Sequence, residues 1–159
     1  MKKIILIRHG KAEPAQGNDF ERNLASKGIL QIHSVAGKLM SSRNIPEIIY
    51  TSLAARARQT SDLLIKEWET ESHVPLVQEA PVIYQAWPDT LLKLIRGIPE
   101  TYRSVALVGH NPSFEDLAGN LSRRPIPMGT GNCAILTFSN NRWSEIGNQP
   151  AVSAIIMAP

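Results

Sequence analysis

The sequence predicts an α/β fold, a mainly parallel central sheet covered by helices on both faces and extended by antiparallel strands at one edge. Three observations carry this prediction. The chain opens on Ile4-Ile5-Leu6-Ile7, an unalternating aliphatic run of the kind found in strands buried on both faces. A second such run, Val105-Ala106-Leu107-Val108, lies roughly a hundred residues on. Strand and helix patterns alternate between the two, as crossover-linked parallel strands require.

Each element follows from its own pattern. After the first strand, residues 11–25 contain Pro14, Gly17, Asn18, Asp19 and Asn23 and read as a long loop of functional length. A helix is predicted from Ser26, as its cap, to Ser41, with Ile29, Ile32, Ala36, Leu39 and Met40 on its inner face. Glu47 to Tyr50 is a short strand. Leu53 to Trp68 is a helix that turns Ala57, Thr60, Leu64 and Trp68 inward. Pro75 to Val77 reads as a third strand, and Asp89 to Arg96 as a short helix carrying Leu91, Leu92 and Ile95. The strand 105–109 leads into a helix over 112–122, with Asn111 placed to cap, Pro112 suited to the first helical position, and Glu115 and Asp116 favouring the positive end of the dipole. Cys133 to Phe138, Trp143 to Ile146 and Val152 to Met157 read as antiparallel strands, with a tight turn at Asn140-Asn141.

With 159 residues and no repeat, low-complexity stretch or linker, residues 1–159 are expected to form one domain. A chain of this size buries about two-thirds of its unfolded surface, enough for an ordinary core. Cys133 is the only cysteine, so there is no internal disulfide and no multi-cysteine zinc site; its ordinary role is a small buried side chain. Lys2-Lys3 before an apolar run superficially resembles a signal peptide, but Arg8 and His9 end the run too soon. No stretch approaches a membrane span, and the protein is expected to be cytoplasmic. The net charge of +3 is mild, and no dense basic block points to nucleic acid.

The chemistry sits where the two aliphatic runs end. The first is followed by Arg8-His9-Gly10 and the second by Gly109-His110-Asn111-Pro112. Ligands in open α/β sheets bind at the carboxyl ends of strands. Adjacent strands would therefore bring His9 and His110 into one pocket. The junction after Tyr50 supplies a third part. Thr51 and Ser52 stand at a helix entrance, a natural anion site, and Arg56 and Arg58 follow in the first turns. These arginines lie about 200° apart around a helix, so one of them faces the site, and Arg56 is nearer its N-terminus.

A neutral imidazole is a competent nucleophile near pH 7, and guanidinium forks match phosphate oxygens. His9, His110, Arg8 and Arg56 thus suit a phosphoryl group, with no metal or cofactor required. As zinc ligands the histidines lack a third partner, and the arginines would repel the cation. His33, on a helix, and His73, in a polar loop, read as structural or merely exposed.

At this point the sequence resembles the histidine phosphatase, or phosphoglycerate mutase-like, superfamily, and within it the SixA-type phosphohistidine phosphatases. The likeness rests on Arg8-His9-Gly10 and on Asp19 to Gly28 with Arg22, Leu24 and Lys27-Gly28. It continues through Ser52 with Arg56 and Gln59-Thr60, Tyr84 with Leu91-Leu92, Val108 to Pro112, and Met128 to Gly131. Arg22-Asn23-Leu24 lacks the proline common in the SixA-type segment, and Leu53 stands where the family commonly has proline. The resemblance implies a three-layer α/β/α sandwich of phosphoglycerate mutase-like fold. It makes His9 the phosphate acceptor, with Arg8, Arg56 and His110 holding the phosphate and Ser52, Arg22 and Asn111 as further substrate-binding candidates.

A general acid is harder to find. Large superfamily members carry one in an insertion that this chain lacks, which leaves Asp19 ahead of Glu13, Glu79 and Asp89. A phosphoramidate asks less of an acid than an alkoxide does, so the expected substrate is a phosphohistidine protein. A small phosphomonoester is the alternative, and a non-enzymatic phosphate-binding adaptor the reading from another class.

Overall fold

The computed structural model describes all of residues 1–159. Its sheet has six strands: β1 (Lys2–Arg8), β2 (Ile48–Thr51), β3 (Leu76–Glu79), β4 (Ser104–Gly109), β5 (Cys133–Phe138) and β6 (Ser153–Met157). Their order across the sheet is β3-β2-β4-β1-β5-β6. The first four in sequence run parallel, β5 pairs antiparallel to β1, and β6 antiparallel to β5.

The aliphatic run of β1 explains the layering. Ile5 and Ile7 point into a core shared with α1 (Ser26–Ser41) and α2 (Ala55–Trp68). Ile4 and Leu6 point into the larger core under α3 (Pro88–Arg96) and α4 (Ser113–Ser122). A strand with a helical layer on each side has no polar face, so its apolar residues do not alternate. The predicted three-layer α/β/α architecture is the one observed. No helix is long and apolar enough to cross a membrane.

Helix α2 buries Ala57, Thr60, Leu64 and Trp68 as expected, and the Trp68 indole N–H donates to Ala36 O at 3.1 Å, tying α2 to α1. Helix α1 has the predicted bounds but not the predicted cap. Ala25 occupies the cap position and Ser26 is already helical. A tertiary bond holds this end instead, from Ala25 N–H to Lys11 O at 2.8 Å. The inner stripe of α1 is Gly28, Ile32, Val35, Ala36 and Leu39, with Ile29 exposed on its shoulder.

The chain departs from prediction most clearly at Trp143–Ile146, which is not a strand. Trp143–Glu145 is a single 3-10 turn, and Asn140-Asn141 leads into it rather than closing a hairpin. Trp143 and Ile146 are three residues apart and both fully buried, the spacing of a helical turn. The indole N–H donates to Tyr102 O at 2.9 Å, the backbone N–H to Glu100 Oε1 at 2.9 Å, and the Lys2 ammonium lies 4.8 Å from the ring centroid. The segment therefore plugs one end of the α3–α4 core. Cys133 is fully buried, and burial pushes its thiol up to about 12, which leaves it unreactive.

Candidate active site

The parallel pairing of β1 with β4 sets Arg8 opposite Gly109, so the residues that follow, His9 and His110, emerge side by side at the carboxyl edge of the sheet. Their ring centroids are 5.1 Å apart, and each residue is only 8% exposed. Gly109 is required by packing, because a Cβ there would stand 2.6 Å from Ile83 Cγ2 and 2.7 Å from Phe114 Cζ.

The His9 ring is fixed by its own backbone neighbour. Nδ1 lies 2.6 Å from Gly10 O, and a carbonyl can only accept, so Nδ1 carries the proton. Nε2 keeps its lone pair and receives the Arg56 Nε–H at 3.3 Å. Burial chiefly, and then the charges of Arg56, Arg8 and Arg22, bring the imidazole down to about 4 against the pull of the Gly10 bond. His110 is brought down to about 3, again by burial first and then by His9 and the arginines. Both rings are neutral near pH 7. His110 Nε2 pairs with Ser52 Oγ at 2.8 Å, while its Nδ1 is buried with no partner.

Arg56 and Arg58 separate as helix geometry demands. Arg56 turns inward and is buried, whereas exposed Arg58 reaches Glu79 at 3.5 Å. The Arg56 fork is held by Asp19 at two points, NH1 to the backbone oxygen at 2.8 Å and NH2 to Oδ2 at 3.1 Å. Asp19 is held in turn by the Tyr84 hydroxyl at 2.7 Å and by Arg22 NH1 at 3.1 Å. The Tyr84 bond foremost, then Arg22 and Arg56, lowers the Asp19 carboxyl to about 2. As arranged, Asp19 accepts from Tyr84, Arg22 and Arg56, contacts that favour its ionised form. The other acid candidates lie elsewhere: Glu79 is paired with Arg58, Asp89 is exposed in the first turn of α3, and Glu13 is in the outer loop.

The remaining candidates support the centre from behind. Arg8 NH1 donates to Met128 O at 3.0 Å, and its buried Nε has no partner. Asn111 spends both amide N–H groups, one on the same Met128 oxygen at 2.8 Å and one on Glu115, so it anchors the Arg8 support rather than facing open space. Its Oδ1 accepts from Glu115 N–H at 3.3 Å, but the cap falls one residue later than predicted, on Pro112, and α4 begins at Ser113. Ser52 is buried between His110 and the Ala54 N–H, and Arg22 lies between Asp19 and Glu13 O. Sequence reasoning gave Tyr84 no role. It lies after a 3-10 turn, where no local pattern announces a site, and its ring contacts Phe20 and His110 at 5.0 and 5.5 Å. No three His, Cys, Asp or Glu side chains come together as a metal-binding group.

Two glycines let the chain just after His9 pass close against the start of α1. A Cβ on Gly10 would lie 2.7 Å from Gly28 O, and one on Gly28 would lie 2.1 Å from Lys11 O. Backbone meets backbone here, which only glycine permits.

Paired histidines and arginines at the carboxyl edge of such a sheet define a phosphoryl-handling enzyme, and comparison with known proteins agrees. Residues 4–80 match the model of the histidine phosphatase superfamily, branch 1. An uncharacterised protein of Mycobacterium leprae is 30% identical over 122 residues, covering 70% of this chain and 68% of its own length. An uncharacterised chloroplastic protein of Arabidopsis thaliana is 26% identical over 155 residues, 91% of this chain and 70% of its own. Among solved structures, a candidate phosphohistidine phosphatase SixA from Agrobacterium tumefaciens superposes with a TM-score of 0.81 at 26% identity, over 99% of this chain and 98% of that one. A protein histidine phosphatase SixA complexed with tungstate superposes at 0.78 and 21% identity, over 99% and 97%. The chain belongs to the histidine phosphatase superfamily and is a phosphatase of phosphoglycerate mutase-like fold.

Proposed function

We propose that the enzyme passes a phosphoryl group through His9, and that its substrate is a protein carrying phosphohistidine. The observation that carries the chemistry is the tautomer of His9: Nδ1–H is committed to Gly10 O, and the unprotonated Nε2 accepts only the long 3.3 Å bond from Arg56 Nε–H. In the first step Nε2 bonds to phosphorus as the bond to the substrate's nitrogen breaks, and that nitrogen takes a proton from solvent. In the second, water adds to phosphorus, the N–P bond breaks and its electrons return to Nε2. The water's proton leaves with the phosphate or to solvent. Arg56, the unpartnered Arg8 Nε and the unpartnered His110 Nδ1 are the groups that would hold the equatorial oxygens as charge builds.

The choice of leaving group rests on the acid. Asp19 accepts from Tyr84, Arg22 and Arg56, which favours its ionised form, and a phosphorylated imidazole asks less of an acid than a departing alkoxide does. The naming of the tungstate-bound SixA as a protein histidine phosphatase supports the same substrate class. The test is phosphate release from a phosphohistidine peptide and from a simple phosphomonoester, each in the presence of chelator. Faster peptide turnover, lost by a factor of about a thousand or more in His9→Ala, is expected. Retained activity in that variant would overturn the role of His9, and preference for the monoester would overturn the substrate class.

A further inference from the structure

A groove of about 310 Å³ adjoins the phosphate pocket, with Gln85, Trp87, Pro88, His110, Asn111 and Asp116 in its walls. His110 is shared, lying in this wall and beside His9, so the groove begins where the phosphate pocket ends. Two features of this groove have no part in holding phosphate. Trp87 is 78% exposed, more than any other large hydrophobic side chain in the chain. An indole left in water at the mouth of a site is the kind of surface that binds. The backbone that carries it is constrained on both sides. Gln85 adopts a left-handed φ of 55°, a conformation non-glycine residues rarely hold, and Pro88 begins α3 directly after Trp87. The short turn from Tyr84 to Pro88 therefore holds one aromatic ring inside the pocket and the next outside it.

The second feature is charge. The phosphate pocket is cationic, with Arg8, Arg22 and Arg56 all acting on His9. The groove carries the opposite sign. Asp116 is exposed in its wall and forms no ion pair, and Asp89, two residues after Trp87, is likewise exposed and unpaired. Asp116 also suits the N-terminal turn of α4 electrostatically, but that role leaves the exposed indole beside it unexplained. An aromatic face with a nearby carboxylate is the arrangement that accepts an organic cation.

We propose that this groove is a subsite for a lysine or arginine of the substrate polypeptide, with the side chain lying on Trp87 and its charge toward Asp116. Phosphohistidines with a basic residue close by are then the preferred substrates. This rests on the phosphohistidine reading above and adds a specificity determinant to it. A cation beside a phosphoryl dianion is the charge pattern that matches a negative groove next to a positive pocket.

The test compares kcat/KM for two phosphohistidine peptides that differ only in carrying lysine or glutamate at the positions flanking the phosphohistidine. Phosphoramidate, which has no side chain to place in the groove, is the reference substrate. The lysine peptide is expected to be favoured about tenfold. Trp87→Ala and Asp116→Asn should each bring the two peptides to within about twofold, while phosphoramidate is hydrolysed at the wild-type rate. Equal rates on the two peptides with the wild-type enzyme would overturn the proposal. So would a preference that survives both substitutions, or a fall on phosphoramidate as large as that on the lysine peptide. Loss of hydrolysis of every N-phosphoryl donor would instead overturn the substrate reading on which the proposal stands.

Discussion

Lowering the pH from 7 to 5 should leave His9 almost untouched. An ordinary imidazole near 6.5 would fall from about 75% neutral to about 3%, a loss of roughly 25-fold in nucleophile. Burial, with Arg56, Arg8 and Arg22 behind it, sets His9 at about 4, so at pH 5 about nine-tenths of it is still neutral. The direct assay is a proton–carbon NMR titration of the ring, assigned by the loss of its signal in His9→Gln. The same buried ring makes acid destabilising. Well above 6.5 neither folded nor unfolded His9 is protonated and nothing is lost. Between 6.5 and about 4 the unfolded chain takes up a proton that the native state refuses, and native stability falls by up to about 3 kcal/mol. Denaturant unfolding at pH 7 and at pH 4.5 should show this loss, and His9→Gln should remove most of His9's share. A ring that titrates near 6.5, or a His9→Gln variant with undiminished acid sensitivity, would refute the reasoning.

Two further predictions follow from the contacts around the pocket. Tyr84→Phe and Asp19→Asn each loosen the carboxylate's hold on Arg56 NH2, so each should lower kcat/KM by about three- to tenfold, and the double variant should be little worse than either. Multiplying losses in the double variant would separate Tyr84 from Asp19. In α1, Gly28→Ala drives a Cβ into the Lys11 backbone and should cost at least about 2–3 kcal/mol in thermal or denaturant unfolding. Gly37→Ala, with nothing within 4 Å, should instead stabilise by about 0.5–1 kcal/mol. Equal effects at the two glycines would refute the close approach at Gly28.

Patterns that depend on neighbours in sequence were legible. The aliphatic runs of β1 and β4 announce strands buried on both faces, and their polar ends mark the pocket because register then carries His9 and His110 out together. Arg56 could be chosen over Arg58 from helical angle and position alone. What could not be read depends on distant partners. Ser26 looks like a cap, but Lys11 holds that helix end through its backbone. Trp143 to Ile146 looks like a strand until Glu100, Tyr102 and Lys2 are seen gathering the indole into a plug. Asp19 stands beside Arg56 as the sequence led one to expect, yet its carboxylate is held by Tyr84, 65 positions away, and no local motif encodes that hydroxyl.

The close approach of Gly10 and Gly28 has a consequence for how this enzyme can change. Gly10 and Gly28 bring the ends of the 11–25 segment into contact, and the bridge between Ala12 and Leu24 joins the two strands of the neck just beyond. Between them runs a loop whose tip, around Pro14 to Gly17, touches neither histidine. Closure at the neck means that residues can be added to or removed from the tip without transmitting strain to His9. Recognition can then drift or be redesigned at the rim while the nucleophile stays in register, so this chain has a natural graft point only a few residues from its own chemistry.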